Sequence, residues 1–358
     1  MNNFSAPSFH HLQEGADSLS IMMKKECATY ACSDYLNDRS SSRSRSSGLN
    51  HEQKITPDDR SKLVDWCYEI VDRCRLDRES VAVAMDIADR FMCTIVAQGS
   101  QGQGALQVQD SILYDRGQYQ LLILTAIYIS IKLNGQEILS SADFSAITHD
   151  SYSTEEIESM ELKILHGLKW IICCPTALQM GYQILELMAT ASSQVREAKN
   201  AGPLDSGRIA WNFLREELAF QTETAVRGYR FVTQRYSTIA VASILNAIEQ
   251  VNDVEYEIFL QALIYVTKMG EFQFDSLCVL LNVRDQLKLR CLMVENEEFD
   301  ETDLTSETPI MNPSDGIVLE GEDVRIEECD EMDLASEITT MSPLNVNGLA
   351  PDDEEVPT

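Results

Sequence analysis

The residue types that carry out chemistry are present in this 358-residue sequence, but not at the spacings chemistry requires. His10, His11, His51, His149 and His166 show no metal-ligand spacing and read as core or surface side chains. None of the ten cysteines form a Cys-x-x-Cys pair. Cys67, Cys74, Cys93, Cys278 and Cys291 fall within apolar helical patterns, so reduced core thiols are expected, with neither disulfides nor zinc. Gly99–Leu106 is glycine-rich but lacks the basic residue and helix start of a phosphate-cradling loop. No nucleophile motif appears, so neither an enzyme nor a cofactor or metal is expected. What stands out instead is a single charge, Lys132, closing a long apolar stretch. By itself it reads as a lysine that snorkels to solvent and complements the dipole of its helix.

The element that must position this lysine is Tyr119–Leu133, apolar or small on every side between Gln120 and Lys132. A surface helix keeps a polar face, so this one is expected to be the hub of an all-helical core. It is shorter than the roughly 20 residues of a membrane span. Around it, Thr56-Pro57-Asp58-Asp59 supplies a cap, a first-turn proline and carboxylates, predicting a helix through Leu63, Val64, Cys67, Ile70 and Val71. A second helix is expected from near Asp77 to Met92, a short one over Ser140–Thr148, and another opening at Ser153-Thr154-Glu155-Glu156. Cys174-Pro175-Thr176 breaks the pattern. Helices then follow at Ala177–Ala191, Gly207–Arg227, Thr233–Glu249, Val254–Thr267 and Phe274–Val294. Two successive groups of about five helices suggest a structural duplication, and no alternating strand pattern competes.

Charge is unevenly placed along the chain. The net charge is −30, and from Asn296 onward twenty acidic residues face one base, Arg325. The first fifty residues balance, which leaves −11 for the middle. Such a surface argues against a nucleic-acid-binding domain, which needs a basic footprint. No signal pattern or transmembrane run is seen, so a soluble protein of the nucleus or cytoplasm is expected, without a membrane partner. The organisation is read as four parts. Residues 1–50 hold one short helix within Asp17–Leu36 and the linker Arg39–Gly48. Residues 51–174 and 175–295 form two helical units. Residues 296–358 form an acidic tail expected to be disordered.

Arg60-Ser61-Lys62-Leu63-Val64-Asp65-Trp66, Asp89-Arg90-Phe91, Ile131-Lys132 and Met160-Glu161-Leu162-Lys163-Ile164-Leu165 together resemble the cyclin box, over roughly residues 57–176. Tyr229–Ala242, with Tyr236-Ser237, is similar to a segment of the second cyclin fold. The resemblance implies an all-α protein of two tandem five-helix cyclin folds. Its function would be to bind and activate a cyclin-dependent Ser/Thr kinase, as the regulatory subunit of a heterodimer in cell-cycle control. It further implies that Lys132 and Glu161 meet the kinase, with Ile129, Leu133, Leu165 and Ile172 at apolar contact positions. Arg60 and Asp89 would be a structural ion pair between the first two helices.

Leu63, Trp66, Glu69 and Gln120 match a patch through which cyclins dock kinase substrates or inhibitors. Here Asp59 and Lys62 replace two of its apolar contacts, so weakened or altered docking is expected. Leu133-Asn134-Gly135-Gln136 replaces the aromatic and acidic residues that usually follow the lysine, and this leaves the kinase unnamed. Thr308-Pro309 and Ser342-Pro343 are candidate sites for proline-directed phosphorylation in a tail expected to control turnover. A non-activating cyclin-fold scaffold and a transcription-associated cyclin are the alternatives.

Overall fold

The computed structural model describes residues 7–37, 54–99, 112–134, 140–147, 151–199, 205–269, 272 and 274–304. The Arg/Ser run, most of the glycine-rich loop, and Thr308 and Ser342 lie outside them. Among the described residues the fold is all helical, and no helix is long and apolar enough to cross a membrane.

The first unit is built of α2 (Pro57–Arg73), α3 (Glu79–Gly99), α4 (Arg116–Leu133), α5 (Ser141–Ile147) and α6 (Thr154–Gly167). Its opening is fixed locally. Thr56 Oγ1 accepts from the Asp59 backbone N–H at 3.1 Å, while Asp59 Oδ2 accepts from the Thr56 N–H at 2.9 Å. This reciprocal cap satisfies two donors that a helix start would otherwise leave unpaired. The hub is α4, buried continuously from Tyr119 to Ile131 and packed on α3, α6, α2 and α5. Each large aliphatic side chain removed from water there contributes about 1.5–3 kcal/mol. The hydroxyls within the hub are satisfied internally: Thr125 donates to the Leu121 carbonyl at 2.8 Å and Ser130 to the Ser80 carbonyl at 2.7 Å.

The second unit repeats the plan with α7 (Ala177–Lys199), α8 (Asp205–Arg227), α9 (Tyr236–Ile248), α10 (Asp253–Met269) and α11 (Leu277–Leu304). Its third helix, α9, is again buried on nearly all sides, enclosed by α11, α8, α7 and α10. A short 3-10 turn, Tyr229–Phe231, precedes it.

Two elements differ from the sequence expectation. The N-terminal helix α1 runs from Pro7 to Ala28, longer and earlier than expected, and is followed by a turn through Asn37. It buries Leu19 and Met23 in the second core, whereas Tyr35 and Leu36 of the following turn belong to the first. At the other end, α11 continues to Leu304, past the expected boundary at Asn296. Glutamates are good helix formers, so the start of an acidic segment can extend a helix already nucleated by its packed first half.

Candidate partner-binding site

Lys132 lies in the last turn of α4. That end of the helix is tied down by Ser80, at the start of α3. Ser130 donates to its carbonyl, and Asn134 Nδ2, at the C-cap, donates to its hydroxyl at 2.8 Å. Glu161 lies on α6, whose start is fixed by a second reciprocal cap between Ser153 and Glu156 and whose inner face buries Ile157, Met160 and Ile164. With both helices held, Lys132 Nζ and Glu161 Oε1 form an ion pair across 29 positions of sequence. The lysine side chain is 42% exposed and the glutamate 16%, so the carboxylate is the anchored member. Lys132 Nζ also lies 4.4 Å from the centre of the Tyr128 ring, which packs on Phe144. Neither group is exhausted by the pair: an ammonium has three donors and a carboxylate a second oxygen.

Exposed apolar side chains lie next to each member of the pair in sequence and in the turn after α6. Leu133 follows the lysine and is exposed. Leu162 follows the glutamate and is 53% exposed, on the face of α6 opposite its buried stripe. Beyond the end of α6, Lys169 and Trp170 both have left-handed backbone, with φ of 52° and 63°. Each such residue other than glycine costs roughly 1–2 kcal/mol. The turn closes through Trp170 N–H to the Leu165 carbonyl at 2.9 Å and leaves Trp170 61% exposed, with Ile171 beside it also exposed. Arg90 secures the turn by donating from Nη1 to the Ile171 carbonyl at 2.8 Å, while its own charge is met by Asp86 at 2.7 Å. Of the positions expected at this surface, Leu133 is exposed and Ile172 is partly buried. Leu165 is buried, and Ile129 is a member of the first core.

Elsewhere in the first unit, Arg60 and Asp89 are paired through two bonds, Nε to Oδ1 at 3.0 Å and Nη2 to Oδ2 at 2.7 Å. Burial alone would pull the guanidinium pKa down, but Asp89 more than offsets this and holds it up. The same carboxylate accepts from Tyr35 at 2.7 Å, and Arg60 donates from Nη1 to the Val226 carbonyl of the second unit at 2.8 Å.

Residues 31–173 match the family description "Cyclin, N-terminal domain". Over that stretch the chain has the sequence of a cyclin N-terminal domain. Cyclin-A1-2 of Arabidopsis thaliana is 27% identical over 161 residues, 44% of this chain and 33% of that protein. The G2/mitotic-specific cyclin-B3 of Gallus gallus is 23% identical over 219 residues, 61% of this chain and 45% of that one. The chain therefore spans less than half the length of these curated relatives. Among solved structures, a viral cyclin from herpesvirus saimiri aligns with 66% of this chain and 86% of its own, at 17% identity and a TM-score of 0.45.

The four residues expected at a docking patch are placed differently from Lys132 and Glu161. Leu63 and Trp66 are members of the first core and present almost no surface, and Gln120 is buried. Glu69 is partly buried, and desolvation raises its carboxyl pKa. All four lie on α2 and α4, which pack on one another. Sequence reading did not single out Tyr128, Leu162, Trp170, Ile171 or the Asp86–Arg90 pair. A signal existed for Leu162, which falls off the Ile157–Met160–Ile164 stripe. None existed for Trp170, because its exposure depends on a left-handed turn between two residues that are not glycine.

Proposed function

We propose that this chain is a regulatory subunit that binds and activates a cyclin-dependent Ser/Thr kinase and supplies no catalytic residue itself. The observation that carries the reading is the Lys132–Glu161 pair, anchored on two different helices, each member followed by an exposed leucine. In the free chain a half-exposed pair is worth at most about 1 kcal/mol. Covered by a partner, the spare ammonium donors and carboxylate oxygen would meet backbone groups of a docked helix in a drier setting, where charge-assisted bonds strengthen. Leu133, Leu162, Trp170 and Ile171 would supply the apolar contact around them. Docking on the kinase's regulatory helix would move it inward and complete the kinase's own Lys–Glu pair. Carrying a kinase from 1% to 99% active needs about 5.5 kcal/mol of differential binding.

The test is capture of kinase from a cell extract by the full chain, followed by activity on a generic substrate. Lys132→Ala and Glu161→Ala should each lower capture at least tenfold, since stranding one partner of a covered charge pair costs about 3–5 kcal/mol. Undiminished capture by the double variant would overturn the reading. The second reading, a scaffold that binds without activating, is favoured by Leu133 and Asn134, which stand where cyclins usually continue with an aromatic and an acidic residue; Asn134 instead caps α4 and is tied to Ser80. Capture without phosphorylation would select it.

A further inference from the structure

The segment linking α1 to the first core crosses α3 at a sulfur atom. The Ser33 N–H donates to Cys93 Sγ at 3.3 Å, and the protonated Cys93 thiol reaches the Ser33 carbonyl at 3.5 Å. Cys32 is joined directly to that nitrogen, so its Cα lies no farther than about 6 Å from the Cys93 sulfur. The Cys32 and Cys93 thiols act on one another's ionisation. Both residues are partly exposed, whereas Cys67 and Cys174 are buried. The Cys32 thiol and the Ser33 N–H lower the Cys93 thiol to about 7, against burial and the Asp89 charge on the same helix. Cys32 is held well above its usual value, first by Cys93, then by burial and by Asp89 and Asp86. One sulfur is thus a ready thiolate with a protonated thiol beside it, the arrangement of an attacking and a resolving cysteine.

We propose that Cys93 and Cys32 form a peroxide-responsive thiol pair that closes to a disulfide and fastens the N-terminal segment to α3. The Cys93 thiolate attacks one oxygen of hydrogen peroxide. The O–O bond breaks, hydroxide leaves and takes a proton to become water, and Cys93 becomes a sulfenic acid. The Cys32 sulfur then attacks the Cys93 sulfur. The S–S bond forms, the S–O bond breaks, and the hydroxyl leaves with the Cys32 proton as a second water. The two thiols give up two electrons in total, and one peroxide is reduced to two waters. The bond closes a loop containing the whole of α2 and most of α3. It also fixes the segment that carries Leu19 and Met23 to the second core and Tyr35 to the first.

The test uses the full chain treated with equimolar hydrogen peroxide and mapped by non-reducing peptide mass spectrometry. The expected product is a linked pair of peptides holding Cys32 and Cys93. Cys32→Ser should stop at a Cys93 sulfenic acid trapped by dimedone, and Cys93→Ser should give neither product. Before oxidation, iodoacetamide at pH 7 should alkylate Cys93 of the unmodified chain roughly 5–10 times faster than the exposed Cys278, with a rate that levels off near pH 7 and not near the ordinary 8.5. That measurement needs no variant to fold. Bridges scattered over Cys27, Cys173 and Cys278, or alkylation of Cys93 no faster than of Cys278, would overturn the proposal.

Discussion

At the scale of residues, the molecule invests in two buried ion pairs one helical turn apart on α3. Asp89 meets Arg60 of α2, and Asp86 meets Arg90 on α3 itself, with the Tyr236 hydroxyl donating to Asp86 at 2.7 Å. Desolvation pushes the Asp86 carboxyl up despite Arg90, so ionising it in the fold carries a cost. Such pairs add little net stability over apolar packing, but losing one member is expensive because the other charge stays buried. Asp89→Asn should therefore lower the unfolding free energy by about 3–5 kcal/mol, measured by chemical denaturation. It strands Arg60 and weakens the bond from Tyr35 at the same time. A loss under about 1 kcal/mol would mean that the guanidinium finds water in the variant.

At the scale of elements, the site depends on how closely α6 approaches α3. A Cβ at Gly167 would lie 2.7 Å from Cε2 of the buried Phe91 ring, so only glycine allows this contact. The approach brings the end of α6 and its left-handed turn within reach of Arg90. Gly167→Ala should cost about 1–3 kcal/mol of stability, since an overpacked core shifts backbone as well as side chains. Because the displaced element carries both Glu161 and Trp170, partner capture should fall by more than the unfolded fraction explains. Circular dichroism melts paired with the capture assay would separate the two effects. Capture that follows only the folded fraction would show that α6 tolerates the shift.

At the scale of the whole molecule, the two helical units meet through Tyr229, Val226 and Val232 packed on the first core and through polar contacts. Arg78 bonds Glu223 through Nη2 at 2.7 Å, and Arg227 bonds Asp65 at 2.7 Å. Partly exposed pairs of this kind hold weakly. The stronger connection is the N-terminal segment. Glu26 is buried and accepts from the Ser237 N–H at 2.9 Å and from Arg235 at 2.8 Å, at the start of the second hub helix. Tyr229, just before that helix, donates to Asp34 at 2.8 Å and packs edge-on against Tyr35. Deleting residues 1–37 should therefore turn one cooperative thermal transition into two, seen by calorimetry, as each unit melts on its own core. A single sharp transition in the truncated chain would assign the coupling to the direct contacts between the units instead.

The sequence alone determined whatever rests on local periodicity and end chemistry. Thr56 and Ser153 carry their own capping partners three residues ahead, and a stretch apolar on all sides such as Tyr119–Ile131 has nowhere to go but a core. The Arg60–Asp89 pair was legible only through the resemblance to the cyclin box, since Asp86 and Arg90 lie in the same helical pattern and local spacing does not choose among them. Tertiary structure alone decided which apolar residues remain outside. Leu63 and Trp66 went into the core, on a helix packed against α3 and α4, while Leu162 and Trp170 were left on the surface of α6 and the turn after it. It also decided that Cys32 meets Cys93 and that α1 serves both cores. Contacts across such distances leave no period in the chain, since they depend on where packed helices end and not on the spacing of residues within any one of them.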